Sequence, residues 1–220
     1  MDVAPVNLPD LFANVASVLE VQRETLNQAD TFNHNHGEHM VEIFQAAAQA
    51  AAEMKDAPIA DAMQHAAGLL RQRHENGSAQ VYARGLGLLA GQLRQRELTL
   101  DDLLLTVRDY LHESKEPEEE TTKRSADVVK ALLAALADWS QVETDLAQGT
   151  AAHPGGGLDM GYLFGVGMAY LQAKQKGGSR LEVLSETVCS ASPLGKVPHR
   201  HLSGVIAIQA LVEAMGRQPG

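Results

Sequence analysis

The chain has 220 residues, 45% of them apolar and 21% charged, with a formal net charge of −10 at neutral pH. That composition suits a folded globular protein with a sizeable core. Its acidity excludes nucleic acid or an anionic membrane as the main partner, because both are recognised through basic patches.

Helical periodicity runs through nearly the whole chain. Leu11, Val15, Val18 and Leu19 recur at three- and four-residue steps after Pro9-Asp10, a helix start. A second helix is expected from about Gly37 through Met40, Ile43 and Phe44 to Met54. A third follows Pro58 with Ile59, Met63, Ala66, Leu69 and Leu70, and a fourth follows Asn76-Gly77-Ser78, from Val81 to Leu93. Thr99 ahead of Asp101 and Asp102 suits another helix N-terminus, continued by Leu103, Leu104, Val107 and Leu111. Residues 113–123 form a charged linker or a solvated helix start. A helix over 125–139 carries Val128, Val129, Leu132, Leu133 and Leu136 on one face. The strongest breaker is His153-Pro154-Gly155-Gly156-Gly157. Helices over 158–174, 181–189 and 202–215 are expected beyond it. Strand and hairpin signals are weak.

The expected architecture is therefore all-α, a single domain over 1–220 with eight or nine helices, the first and last packed together. No run of about 18 apolar residues occurs, so no membrane span is expected. The opening Met1-Asp2-Val3-Ala4-Pro5 has neither the basic region nor the apolar core of a secretion signal. Cys189 stands alone, so a reducing, cytoplasmic setting is expected. Buried packing is its expected role.

Three small-polar junctions each open an apolar helix. The densest runs from Asp30 to Met40 and holds His34, His36 and His39 with Asn33, Asn35, Asp30 and Glu38. It reads either as a polar turn capped by Asn35 or His36, or as an anion or metal site at a helix N-terminus. The second is Asn76-Gly77-Ser78-Ala79-Gln80, an ordinary cap or a small phosphate loop. The third is Pro198-His199-Arg200-His201-Leu202-Ser203-Gly204, where Arg200 can pair with a phosphate bidentately. Loops at one end of a helical bundle can converge on one site. Asn35, His36, Ser78 and the 199–203 segment are expected to do so.

These segments, in this order, resemble the motifs of the dihydroxyacetone kinase L subunits, the DhaL family. Asn33-His34-Asn35-His36-Gly37-Glu38-His39-Met40 stands where that family has Asp-x-Asp-His-Gly-x-Asn-Met. Gly77-Ser78 looks like its Gly-Gly-Ala-Ser-Gly turn, and Leu98-Thr99-Leu100-Asp101-Asp102-Leu103 like its Leu-Thr-Leu-x-Glu-Leu helix start. Its Pro-Gly-Asp-Lys-Thr-Met segment is matched either by Pro154-Gly155-Gly156-Gly157-Leu158-Asp159-Met160 or by residues 120–125. His201-Leu202-Ser203-Gly204 falls where its Asp-Pro-Gly-Ala belongs.

The resemblance implies a closed barrel of about eight antiparallel helices holding ADP or ATP with two magnesium ions at one end. It places His36, Gly37, His39, Gly77, Ser78, Ser203 and Gly204 around the nucleotide, and Asp30, Asn33 and Asn35 at the metal. It also implies a K-type subunit as partner; a homodimer is a separate expectation for the chain. The departures are chemical. Asn33 and Asn35 replace the two metal-holding aspartates, and a neutral amide is a poor magnesium ligand beside a carboxylate. His39 replaces the phosphate-contacting asparagine.

The expected function is a degenerate L-type domain that binds a ligand or regulates a partner. An active phosphotransferase acting on dihydroxyacetone or a similar small hydroxy-ketone is the alternative, handicapped by lost metal charge. A transition-metal site built from His34, His36, His39, His199 and His201 is the second, since imidazole suits zinc, nickel or copper.

Overall fold

Asn7 opens the first helix: its side chain accepts the Asp10 N–H at 2.9 Å. Pro9 occupies the first turn, where a missing N–H costs nothing. The computed structural model describes residues 7–112, 119–149 and 160–216. Among them lie ten α-helices, one 3-10 turn and no strand. They are α1 (Leu8–Val21), α2 (Arg23–Ala29), α3 (His36–Glu53), α4 (Ile59–Arg71), α5 (Gly77–Gln95), α6 (Leu100–His112), α7 (Glu119–Ala147), α8 (Met160–Lys176), α9 (Arg180–Ala191) and α10 (Pro198–Gly216), with the 3-10 turn at Pro193–Lys196. The protein is all-α, and no helix among the described residues is long and apolar enough to cross a membrane.

The core is made of the apolar stripes that the periodicity marks. Val15 and Leu19 of α1, Met40, Ile43, Ala47 and Ala50 of α3, Ala66 and Leu70 of α4, and Ala83, Ala90 and Leu93 of α5 are buried in one cluster. Val128 and Ala131 of α7 and Ala207 and Ala210 of α10 complete it. Each large apolar side chain removed from water contributes about 1.5–3 kcal/mol. The alanines keep neighbouring helix axes close, so α3 lies against α1, α2 and α4. The first and last helices do pack together, and the Asn14 side chain of α1 donates to the Ala210 carbonyl of α10 at 3.1 Å.

A helix break at Gln22 and the starts of α7 and α10 differ from the expected bounds. α2 is a separate helix, set off from α1 at Gln22, and no glycine or proline in the sequence announces it. Residues 119–123 belong to α7, while 113–118 lie outside the described residues. The breaker at 153–157 and most of the candidate motif at 154–160 also lie outside them; Met160 is the first residue of α8.

The third correction matters most for function. α10 begins at Pro198, not near Leu202, so the polar segment expected as a loop forms the helix's first two turns. Proline is a good first helical residue, with φ already near the helical value. His199, Arg200, Ser203 and Gly204 are thus fixed on a rigid element.

Candidate functional site

The site is built where α3 and α5 begin and where the first turns of α10 cross them. α2 shapes the start of α3. Asn27, almost fully buried, accepts the Gly37 N–H on its side-chain oxygen at 2.8 Å and donates to Glu38 Oε1 at 3.0 Å. The orphan N–H at the head of α3 is therefore capped from α2 rather than by Asn35. Asn35 makes no side-chain cap, and its Oδ1 is buried without a hydrogen-bond partner. The intervening chain turns through His34 at φ +56°, and Asp30 Oδ1 accepts the Phe32 N–H at 3.0 Å.

His36, in the first turn of α3, reaches across to α10. Its Nε2 lies 2.8 Å from Ser203 Oγ, and both residues are buried. The Ser203 hydroxyl also lies 3.1 Å from the Arg200 carbonyl. Donation by the hydroxyl to that carbonyl assigns Nε2 of His36 as the protonated nitrogen. The His36 and His199 rings meet edge to face with centroids 4.6 Å apart. His199 Nδ1 lies 3.8 Å from Asp30 Oδ1, and exposed Phe32 stands edge-on to His199 at 6.4 Å.

α5 enters through Asn76 and Gly77. Asn76 caps its own helix by accepting the Ala79 N–H at 2.9 Å, and its amide donates to the His39 carbonyl at 3.4 Å. One side chain thus ties the heads of α3 and α5 together. A Cβ at Gly77 would stand 3.3 Å from Arg200 Nη2, so the bare glycine gives the guanidinium its room. Arg200 Nε is buried without a hydrogen-bond partner, and so is the Tyr82 hydroxyl one turn further along α5.

The electrostatics favour neutral imidazoles. Burial is the main force holding His36 down to about 4; His199 and Arg200 reinforce it and Asp30 opposes it. Burial also lowers His199, against the pull of Asp30 and with the push of Arg200. For Asp30, burial pushes the carboxyl upward. The Phe32 N–H, His199, the Asn35 N–H and His36 together outweigh it and hold the group below its usual range. Burial raises Tyr82, which stays a neutral phenol.

The structure brings His36, Ser203, Gly77 and Asp30 to one end of the molecule, with Ser78 buried in the first turn of α5 beside Gly77. His39 is half-buried and contributes its carbonyl to Asn76. Gly37 is buried against α2, and its N–H is already engaged by Asn27. Gly204 faces away from Ser203: a Cβ there would meet Cys189 Sγ at 2.8 Å and Leu194 Cδ1 at 2.9 Å, so it is a packing glycine against α9. Cys189 is buried there, its thiol pushed up to about 12 mainly by burial. Asn33 is exposed.

Residues that the motifs do not name complete the arrangement. Asn27 and Tyr82 carry no local signal, since each works only through partners distant in sequence. The five histidines do not form one ligand set. His34 Nδ1 lies 3.4 Å from the Asn27 carbonyl, and His201 Nε2 lies 3.5 Å from Glu186 Oε2.

Among the described residues, those at this end of the bundle do not make a dinuclear magnesium centre. The Asp30 carboxylate is engaged by two backbone N–H groups and faces His199, Asn33 is exposed, and Asn35 offers one neutral oxygen. Among the described residues no group of three or more His, Cys, Asp or Glu side chains could hold a metal ion. Arg200 is better suited to an anion than a metal, because a guanidinium donates only. Compared with protein-family models, curated proteins and solved structures, the chain matches none.

Proposed function

We propose that the end of the bundle where α3, α5 and α10 meet binds a small phosphate-bearing ligand. The chain on this reading is a degenerate relative of the dihydroxyacetone kinase L subunits, of the same closed-barrel build, that has lost the magnesium centre. Arg200 carries the reading. Its Nε is buried without a partner beside the bare backbone of Gly77, at the head of α5. A buried donor left unpaired costs about 1–3 kcal/mol. A phosphate oxygen would satisfy it with a charge-assisted bond, and the α5 macrodipole favours an anion at the same place. Asn35 Oδ1, the other unpartnered atom near His36, offers an acceptor for a ligand hydroxyl or amine.

The chain's own residues supply recognition rather than catalysis. His36 and Ser203 hold each other across the α3–α10 seam and fix Arg200 through its carbonyl. Arg200 supplies positive charge for holding a phosphate, whereas phosphoryl transfer also draws on metal ions that bridge the phosphates and neutralise the developing charge. A ligand-binding or regulatory role in the cytoplasm, alone or beside a K-type subunit, follows.

Arg200→Gln tests the reading. It keeps a polar group at the level of Arg200 Nε but removes the charge and the fork beyond it. ADP and inorganic phosphate are each titrated calorimetrically into both proteins. Affinity is expected to fall at least about tenfold, or roughly 1.4 kcal/mol. Unchanged affinity in a variant with unchanged thermal stability would refute the role of Arg200.

A further inference from the structure

α8 is apolar on two opposite faces. Its inner face packs on α9: Ala173 is buried, and the Tyr162 hydroxyl donates to the Ala191 carbonyl at 3.4 Å. At about 100° per residue, Met160, Leu171, Phe164 and Met168 fall in a stripe about 80° wide on the other side, into which exposed Gln175 also falls at the C-terminal end. All four are exposed, Met160 by 81% and Phe164 by 72%. A helix on the surface of a globular protein normally turns charged and polar residues outward, whereas one apolar all round is built to be covered.

The glycines of α8 point the same way. Gly167, which borders the stripe, and Gly165, about 60° beyond its other edge, are exposed, and a Cβ at either would meet nothing within 4 Å, so packing inside the chain does not require them. Each glycine costs a helix interior about 1 kcal/mol relative to alanine. Bare backbone beside an apolar stripe is what a second helix needs to approach closely.

We propose that this stripe is a self-association surface, on which two copies of the chain pack α8 against α8 about a two-fold axis. Size and charge favour a second copy as the occupant. Tyr170, about 80° further round the helix, and part-exposed Tyr110 of α6 near it extend the aromatic surface beyond Lys174, whose ammonium stands 5.9 Å from the Tyr170 ring centroid. With about 150–250 Å² per large side chain, weighted by exposure, the patch presents roughly 500–600 Å². That is the upper end of what a monomer leaves open. With the exposed glycine backbone it approaches the roughly 800 Å² per partner of a standard interface. α8 contains no Asp or Glu, so an isologous contact brings no acid against acid in a chain of net charge −10.

Sedimentation velocity of the full chain over about 1–200 μM, a range that captures interfaces of this modest size, tests the proposal. The native protein is expected to shift from monomer towards dimer. Phe164→Glu, at a side chain that is exposed in the single chain, is expected to weaken dimerisation at least about tenfold while leaving the circular dichroism unchanged, and the melting temperature unchanged at concentrations where the native chain is monomeric. Gly167→Ala, which gains helix propensity, is expected to raise thermal stability yet weaken the dimer. A native chain that stays monomeric throughout overturns the proposal, whatever else then covers the face. A Phe164→Glu protein that dimerises as tightly as the native one overturns it equally.

Discussion

Replacing Gly37 by alanine is expected to destabilise the protein by about 3 kcal/mol, at the upper end for overpacking a tight interior. The added Cβ would stand 2.2 Å from the Arg23 carbonyl oxygen and 2.8 Å from Asn27 Oδ1. The nearer atom is backbone of α2, so the clash cannot be relieved by rotating a side chain. α2 and α3 would have to separate, weakening the Asn27 cap on the Gly37 N–H and the contact from Asn27 to Glu38. For a chain of this size the loss corresponds to a fall in Tm of about 6–12 °C. Thermal unfolding followed by circular dichroism at 222 nm would show it, and a fall of less than about 2 °C would mean that the two helices are not in this close contact. Alanine at Gly77 is the useful contrast, because there the nearest atom is the mobile tip of Arg200 at 3.3 Å.

Stability is also expected to fall in mild acid, with His36 as the main cause. Its folded value is held at about 4 by burial, His199 and Arg200, whereas the unfolded chain titrates near the ordinary histidine value of about 6.5. Between these two values the unfolded state binds a proton that the folded state refuses, so stability declines as pH falls through that window. At about pH 5 the contribution of this one residue is a loss of about 2 kcal/mol. His199, also lowered, adds to the slope in the same direction. Asp30 acts lower still. Its depressed value contributes stability above the ordinary carboxyl range that is lost only as pH falls through the folded value. In His36→Gln the side chain can still donate to Ser203 Oγ but cannot take up the proton. Urea unfolding at several pH values should therefore show a flatter profile between about pH 6.5 and 4.5 for this variant than for the native chain. Parallel profiles would place the acid sensitivity elsewhere.

The helices were legible because their apolar stripes recur at the helical period, and their starts were legible where a cap stands before them. Asn76 ahead of Gly77 is such a case, and the structure has Asn76 accepting the Ala79 N–H. The start of α10 was not legible, because His-Arg-His after a proline has the composition of a loop. Pro198 is a local start signal of the same kind as Pro9, outweighed there by the loop-like composition that follows it. α2 is not legible for the complementary reason: no residue type at Gln22 forbids a continuous helix, and the break there, at φ −95° and ψ 3°, is set by the fold.

At the site, the sequence marks the residue types but not their neighbours. His36 and Ser203 are 167 positions apart and meet at 2.8 Å. The pairing of Asp30 with His199 is equally remote. Glycine misleads in a particular way. Gly37, Gly77 and Gly204 look alike in a motif, yet one admits α2, one admits a guanidinium and one admits Cys189 and Leu194. Only the second of these roles concerns a ligand directly.

The measurement that bears most directly on a phosphate site without its magnesium is calorimetric titration of the native chain with ADP, in the presence and absence of magnesium. The variant Asn33→Asp with Asn35→Asp is titrated alongside. The native chain is expected to bind ADP with an affinity that magnesium leaves unchanged. The double variant, with carboxylates at both positions, is expected to bind magnesium-ADP at least about tenfold more tightly than the native chain does, or roughly 1.4 kcal/mol. A native chain that binds ADP only with magnesium, or not at all, would contradict a metal-free phosphate site centred on Arg200.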